Sequence, residues 1–249
     1  PGRGRCRLRA QRGVIRVLIA AWRLALMLLH VLHGMLVMRL HFTSLDPAGR
    51  QARVQWWSTT LLRRLGIGLT VHGALRAGPT LLIANHVSWL DIAAIHAAAP
   101  QARFVSKSDV RRWPLVGRLV AGAGTIFIER ESKRDALRVV HQVAEALKAG
   151  ETLAVFPEGT TSDGRGLLPF HANLLQAAIS TATPVQAIAL RYADATAPVS
   201  LAAAYIGDTT LAQSLRAVLF ANRLRVRVEL LPAQGTRHLD RRALAERLQ

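Results

Sequence analysis

The 249-residue chain has a single cysteine, Cys6, and only 15 acidic residues against 33 lysines and arginines. One thiol excludes an internal disulfide and a cysteine-rich metal site, and it fits a reducing compartment. No low-complexity tract and no repeat at solenoid spacing is present. Zinc-finger spacing and the aromatic signature of RNA-recognition modules are absent, which argues against nucleic acid as the partner. A Gly-x-Ser-x-Gly nucleophile elbow is absent as well, so a serine hydrolase of that type is not expected.

What remains is a basic, apolar-rich chain. Its formal net charge is +18 and its apolar fraction 51%. The charge points to an anionic membrane or phosphorylated substrates. Arg3, Arg5, Arg7, Arg9, Arg12 and Arg16 crowd the N-terminus. The start at Pro1 rather than Met raises the expectation of a short leader ahead of it.

Residues 14–40, VIRVLIAAWRLALMLLHVLHGMLVMRL, are long enough to span a bilayer. The run is too long for a signal-peptide core, and no clean small-residue cleavage site follows. Arg16, Arg23 and His30 recur every seven residues, with His33 three further on, so a helix would carry them on one stripe. Such a helix fits the membrane interface with its cations at the headgroups. Basic flanks lie on both sides, which favours an interfacial helix or a re-entrant hairpin bending near Gly34 over a single crossing. A plain transmembrane anchor is the alternative. Residues 51–65 read as a second amphipathic helix with Val54, Trp57, Leu61 and Leu65 on one face. Trp56 and Trp57 suit a membrane interface or a packed core equally.

Beyond Gly66 the pattern alternates. Strands are expected at 80–84, 103–106, 124–129, 152–156, 184–192, 199–207 and 224–231. Helices are expected at 89–99, 133–148, 173–180 and 240–248. The clearest is 133–148, with Ser132 and Asp135 as a capping box and Leu137, Val140, Ala144 and Leu147 as its face. This alternation predicts an α/β fold with a central, partly parallel sheet flanked by helices and preceded by membrane-associated helices. Residues 1–48 would form the anchor and 49–249 the main domain. Ligands in such sheets bind beyond the carboxyl ends of strands. Polar clusters follow Ala84, Ile128 and Phe156.

The cluster after Ala84 is Asn85-His86-x4-Asp91. Ser88 and Asp91 match a capping box, and Asp91 suits the start of a helix. Five residues on a regular helix diverge by about 140°, so His86 meets Asp91 only if it folds back from a loop. A carboxylate on one imidazole nitrogen fixes the tautomer and leaves the other to take a proton from a hydroxyl. The attacking oxygen would then belong to the substrate.

The ordered blocks resemble the glycerolipid acyltransferase family, which includes bacterial 1-acylglycerol-3-phosphate acyltransferases. Asn85-His86-x4-Asp91 is similar to its first motif, GTIFIER ending at Arg130 to the second, FPEGTTS (156–162) to the third and Pro184-Val185 to the fourth. VSKSDV (105–110) and WPLVG (113–117) resemble the intervening segment. The resemblance implies transfer of a fatty acyl group, from acyl-CoA or acyl-carrier protein, to the free hydroxyl of a lysolipid in phospholipid biosynthesis. The acceptor it implies is 1-acyl-sn-glycerol-3-phosphate, giving phosphatidate. Lyso-ornithine lipid is the alternative acceptor, and a thioesterase the weaker alternative activity. His86 would be the base and Asp91 its orienter. Asn85, Lys107, Arg130, Glu158, Gly159, Thr160 and Thr161 would bind substrate, with Arg130 on the acceptor's phosphate. No metal, cofactor or nucleic acid is implied. The expected partners are the lipid acceptor, an anionic membrane surface and acyl-carrier protein, at the cytoplasmic face of the inner membrane. Two departures bear on the acceptor. Thr161 stands where the family often has arginine, and His171 and Asn173 stand where lysine and glycine are frequent.

Overall fold

The computed structural model describes residues 2–107, 117, 122, 124–128 and 133–249. Arg130, Ser132, most of 113–117 and the end of 105–110 lie outside them, as do the side chains of Lys107, Asp135 and the first five arginines.

The chain begins with helix α1 (Gly2–Leu40), reverses through a short 3-10 turn at Phe42–Ser44 and continues as α2 (Pro47–Arg64). The bend at Gly34 that a re-entrant hairpin would need does not occur. The helix runs through it because Gly34 serves packing instead. A Cβ there would overlap the indole Nε1 of Trp57. Reversal is placed by Asp46, whose carboxylate accepts the Gly49 N–H at 3.0 Å, with Pro47 at the first helical position. The second helix therefore starts four residues earlier than the 51 expected from its apolar face. It buries Leu61, Leu62 and the following Leu65, while Trp57 stacks on His30 with ring centroids 5.1 Å apart.

The basic stripe of α1 corrects an expectation. It faces the protein rather than lipid headgroups. Arg16 donates to the Phe220 carbonyl at 2.9 Å and Arg23 to the Leu219 carbonyl at 3.3 Å. Those carbonyls end the helix Leu211–Phe220, where unpaired C=O groups carry partial negative charge. A His30 ring nitrogen bonds the Trp57 carbonyl at 2.9 Å. The outward face carries Val14, Ile15, Leu18, Trp22, Leu29, Leu32 and Leu36, all exposed. Residues Gly13–Leu40 are long and apolar enough to cross a membrane by length and composition.

Among the described residues, seven strands form one sheet: β1 (Gly68–Gly73), β2 (Thr80–Ala84), β3 (Arg103–Lys107), β4 (Ile126–Ile128), β5 (Thr152–Val155), β6 (Val185–Ala193) and β7 (Arg225–Leu230), in the order β1-β7-β6-β2-β5-β3-β4. All pairings are parallel except β6 with β7. Central β2 and β5 are buried at every position, which is why both read as unbroken apolar runs. Their side chains alternate between two cores. Leu82 and Ala84 join the layer of α2 and α3 (Asp91–Ala98), whereas Leu81 and Ile83 pack against α4 (Lys133–Lys148), α5 (Leu175–Ser180) and α7 (Arg241–Leu248).

Several expectations are corrected. Residues 199–207 form turns, not a strand. Asp194 accepts the Ser200 hydroxyl and the amides of Thr196 and Ala197, and this folds the chain into a compact loop with Ala203 and Ala204 buried. The buried face of α4 is Val139, Val143, Ala144 and Leu147, and Leu137 is exposed. Strand β1 and helix α6 (Leu211–Phe220) were not anticipated.

Candidate functional site

Strands β2 and β5 end side by side, and the loops leaving them build the site. His86 follows the last residues of β2 and folds back over the first turn of α3. Its Nδ1 lies 2.8 Å from Oδ2 of Asp91. The same carboxylate oxygen accepts the Val87 and Ser88 amides at 2.7 and 2.9 Å. Asp91 thus makes the reach-back half of a capping box, while the Ser88 hydroxyl is buried without a hydrogen-bond partner. Asp91 is wholly buried, whereas the His86 side chain is 21% exposed. Three donors on this one oxygen of the buried carboxylate help to compensate its desolvation. With Nδ1 engaged, Nε2 is the nitrogen available to an incoming group.

The β5 loop clamps His86 from both sides of its peptide. Glu158 accepts the His86 N–H at 2.7 Å, and the Ser162 N–H donates to the His86 carbonyl at 2.7 Å. The other Glu158 oxygen takes the Leu168 N–H at 2.9 Å. The turn that presents Glu158 closes with a Gly159 N–H to Phe156 C=O bond at 3.1 Å, and Gly159 sits at φ +70, where a side chain would strain the backbone. Phe156 lies flat on the imidazole, with centroids 3.9 Å apart and planes 11° from parallel.

A cavity of about 520 Å³ opens onto this group. Its reactive end holds His86, Phe156, Gly159, Thr160 and Thr161. The wall toward the N-terminal helices is mostly apolar, with Met27, Val31, Gly34, Val37, Trp57 and Leu61, and it also carries His33 and Arg53. A largely apolar cavity with the His86 group at one end suits a long hydrocarbon chain carrying a reactive head.

The predicted residues divide. His86, Asp91, Gly159, Thr160 and Thr161 converge here. Asn85 does not line the cavity: its amide donates to the Leu190 carbonyl at 2.9 Å and accepts the Leu190 N–H at 2.7 Å, pinning β2 to β6. Glu158 has both oxygens on backbone amides and likewise lies outside the cavity lining. Thr161 lines the cavity but spends its hydroxyl on the Tyr205 carbonyl. Lys107 ends β3, on the same side of the sheet as the loops above. His171 is exposed, and its amide donates to the Pro157 carbonyl at 2.8 Å. Arg130 is outside the described residues.

Three residues were missed by the sequence reading. Phe156 stacks on the base. Tyr192, on β6, donates its hydroxyl to Oδ1 of Asp91 at 2.7 Å. Tyr205 lines the cavity, and its N–H donates to the Val87 carbonyl at 2.9 Å. Phe156 was legible as the first residue of the FPEGTTS block, though with no role; the others are over 100 residues from His86 and had no local signal. Among the described residues, no group of three or more His, Cys, Asp or Glu is placed to hold a metal ion.

The family model described as Acyltransferase matches residues 68–191. A lyso-ornithine lipid O-acyltransferase of Pseudomonas aeruginosa is 39% identical over 205 residues, spanning 80% of this chain and 76% of that protein. A 1-acyl-sn-glycerol-3-phosphate acyltransferase of Neisseria meningitidis is 37% identical over 206 residues, spanning 82% and 80%. The crystal structure of the 1-acyl-sn-glycerophosphate acyltransferase of Thermotoga maritima superposes with a TM-score of 0.70 at 19% identity, over 95% of this chain and 94% of that one. At that identity the likeness is one of fold.

Proposed function

The chain belongs to the acyltransferase family and acts on lysolipids, and from that premise we propose how its residues carry the transfer. The observation that carries the reading is the His86–Asp91 pair, 2.8 Å apart at one end of a largely apolar cavity. The donor is acyl-CoA or acyl-carrier protein, with its acyl chain in the cavity. His86 Nε2 takes the proton from the acceptor hydroxyl as that oxygen attacks the thioester carbonyl carbon. Asp91 holds the imidazole in the required tautomer and stabilises the imidazolium. Collapse of the tetrahedral intermediate breaks the C–S bond, and the imidazolium returns the proton to the departing thiolate. The products are a diacylated lipid and a free thiol. Holding both substrates in place removes much of the entropic barrier, and a thioester is activated enough for direct attack.

The relatives name two acceptors. Lyso-ornithine lipid is favoured by Thr161, which replaces a fixed cation and is committed to Tyr205. The reading with 1-acyl-sn-glycerol-3-phosphate rests on Arg130 and Lys107 as the phosphate contacts. Gly159 and Thr160 would border the acceptor in either case. Residues 1–48 act as the anchor and 49–249 as the catalytic domain. Association with the bilayer comes from the exposed apolar face of α1. The arginine-rich start of the chain adds attraction to anionic lipid of about 1 kcal/mol per cation near the surface and keeps the enzyme on the cytoplasmic face of the inner membrane.

The test is a purified-enzyme assay pairing both thioester donors with lyso-ornithine lipid and 1-acyl-sn-glycerol-3-phosphate. Lysolipid-dependent thiol release with formation of diacylated product supports the reading. Thiol release without a lysolipid would make the protein a thioesterase instead.

A further inference from the structure

We propose that Tyr192 is a positioning residue of the transfer reaction, acting on His86 through the second oxygen of Asp91. The proposal rests on His86 being the base, as argued above.

Asp91 Oδ2 is saturated by His86 Nδ1, Val87 N and Ser88 N. That leaves Oδ1, in a carboxylate with no solvent exposure. Its partner is the Tyr192 hydroxyl at 2.7 Å, delivered from the adjoining strand β6 and itself buried. Without the phenol, a charged oxygen would face the core unpaired. The carboxylate would then rotate or recruit another donor, and Oδ2 would lose its alignment with the imidazole.

The phenol also sets how strongly Asp91 pulls on His86. A hydrogen bond to Oδ1 draws negative charge away from Oδ2 and moderates the stabilisation of the imidazolium. Burial, reinforced by the Asp91 charge and hydrogen bond, pushes the Tyr192 hydroxyl well above its ordinary range, so it stays a donor at every working pH. Strand β6 holds the same tyrosine in register with β2, since Ala84 pairs with Ile188 and Asn85 grips Leu190. Tyr192 does not line the cavity, so its effect reaches substrate only through Asp91 and His86.

The first experiment is Tyr192→Phe, which keeps the ring packing and removes the hydroxyl. The expected result is a fall in kcat of about tenfold, part of what a general base contributes. KM for donor and acceptor stays within about twofold, since no contact to either is lost. The acid limb of the kcat/KM profile moves from its wild-type position, because the carboxylate facing the imidazole changes both its charge distribution and its alignment. Wild-type kcat with an unmoved profile overturns the proposal. So does a loss of kcat with the profile unmoved.

The second experiment does not depend on that variant folding. The chain has two tyrosines, Tyr192 and Tyr205. Wild-type protein grown on 3-fluorotyrosine therefore gives two fluorine resonances. The Tyr192 resonance should move with pH along the acid limb of the activity profile, and that movement should vanish in His86→Ala. A Tyr192 resonance insensitive to pH across the limb overturns the proposal. This titration reads the coupling whether or not transfer is detected. Absence of lysolipid-dependent turnover in wild type would instead defeat the functional reading.

Discussion

The carboxylate of Glu158 holds the backbone amide of His86 at 2.7 Å, so the loop after β5 fixes where the loop after β2 can carry its imidazole. Its other oxygen holds Leu168 N–H. Glu158→Gln converts one acceptor into an NH2 donor facing a backbone N–H. An unpaired buried group costs about 1–3 kcal/mol. Turnover should fall about tenfold or more, with faster tryptic cleavage at exposed Arg165 in the same loop. Steady-state kinetics and a digestion time course measure both. A glutamate that bound substrate directly would raise KM and leave digestion unchanged.

Asn85→Ala removes two buried hydrogen bonds to Leu190. The expected loss of stability is about 2–4 kcal/mol, taking about 1–2 for each broken pair. Denaturant unfolding in detergent measures it. A variant of wild-type stability with raised KM would return Asn85 to the substrate site.

His96 supplies a pH dependence. Burial holds its imidazole down at about 4, against 6.5 in an open chain, although its bond to the Ala102 carbonyl at 3.0 Å opposes the shift. Between those two values the unfolded chain binds the extra proton, so stability rises with pH. The penalty is absent above about pH 6.5 and grows as pH falls toward 4, reaching about 3 kcal/mol. Thermal midpoints from pH 7 down to pH 4.5 should decline less steeply in His96→Gln than in wild type. Equal slopes would contradict the assignment.

The inward arginine stripe separates two kinds of α1 variant. Leu18→Glu puts a charge on the exposed face and should weaken partition into vesicles by about 3 kcal/mol, roughly 100-fold. Arg23→Ala removes the bond to the Leu219 carbonyl and should leave partition near wild type while loosening α1 from the body. Vesicle flotation with limited proteolysis distinguishes them. If Arg23→Ala detached the protein and Leu18→Glu did not, the stripe would belong at the headgroups.

Much of this was legible locally. Buried strands such as 80–84 and 152–156 appear as unbroken apolar runs, and the fold-back of His86 follows from a strand end meeting a helix start within seven residues. Expectations failed where long-range partners decided. The heptad of Arg16, Arg23 and His30 is real, but its direction depended on carbonyls some 200 positions away. Residues 199–207 have the composition of a strand, yet Asp194 folds them into turns. Thr210 and Gln213 spell a capping box that marked α6 and went unread. Strand β1 carries polar Thr70 and His72 between glycines at an exposed sheet edge, which masks its pattern. Glu158 and Asn85 sit in motifs, and only the structure shows their polar atoms spent on backbone.

The most direct measurement is acyl transfer by His86→Ala with a thioester donor and a lysolipid acceptor. The imidazole lies at the cavity's reactive end and bears no hydrogen bond essential to the fold beyond Asp91. The account predicts a loss of about 10² to 10⁴ in kcat, with the thermal midpoint and vesicle association retained. Turnover within threefold of wild type in a folded variant would contradict it.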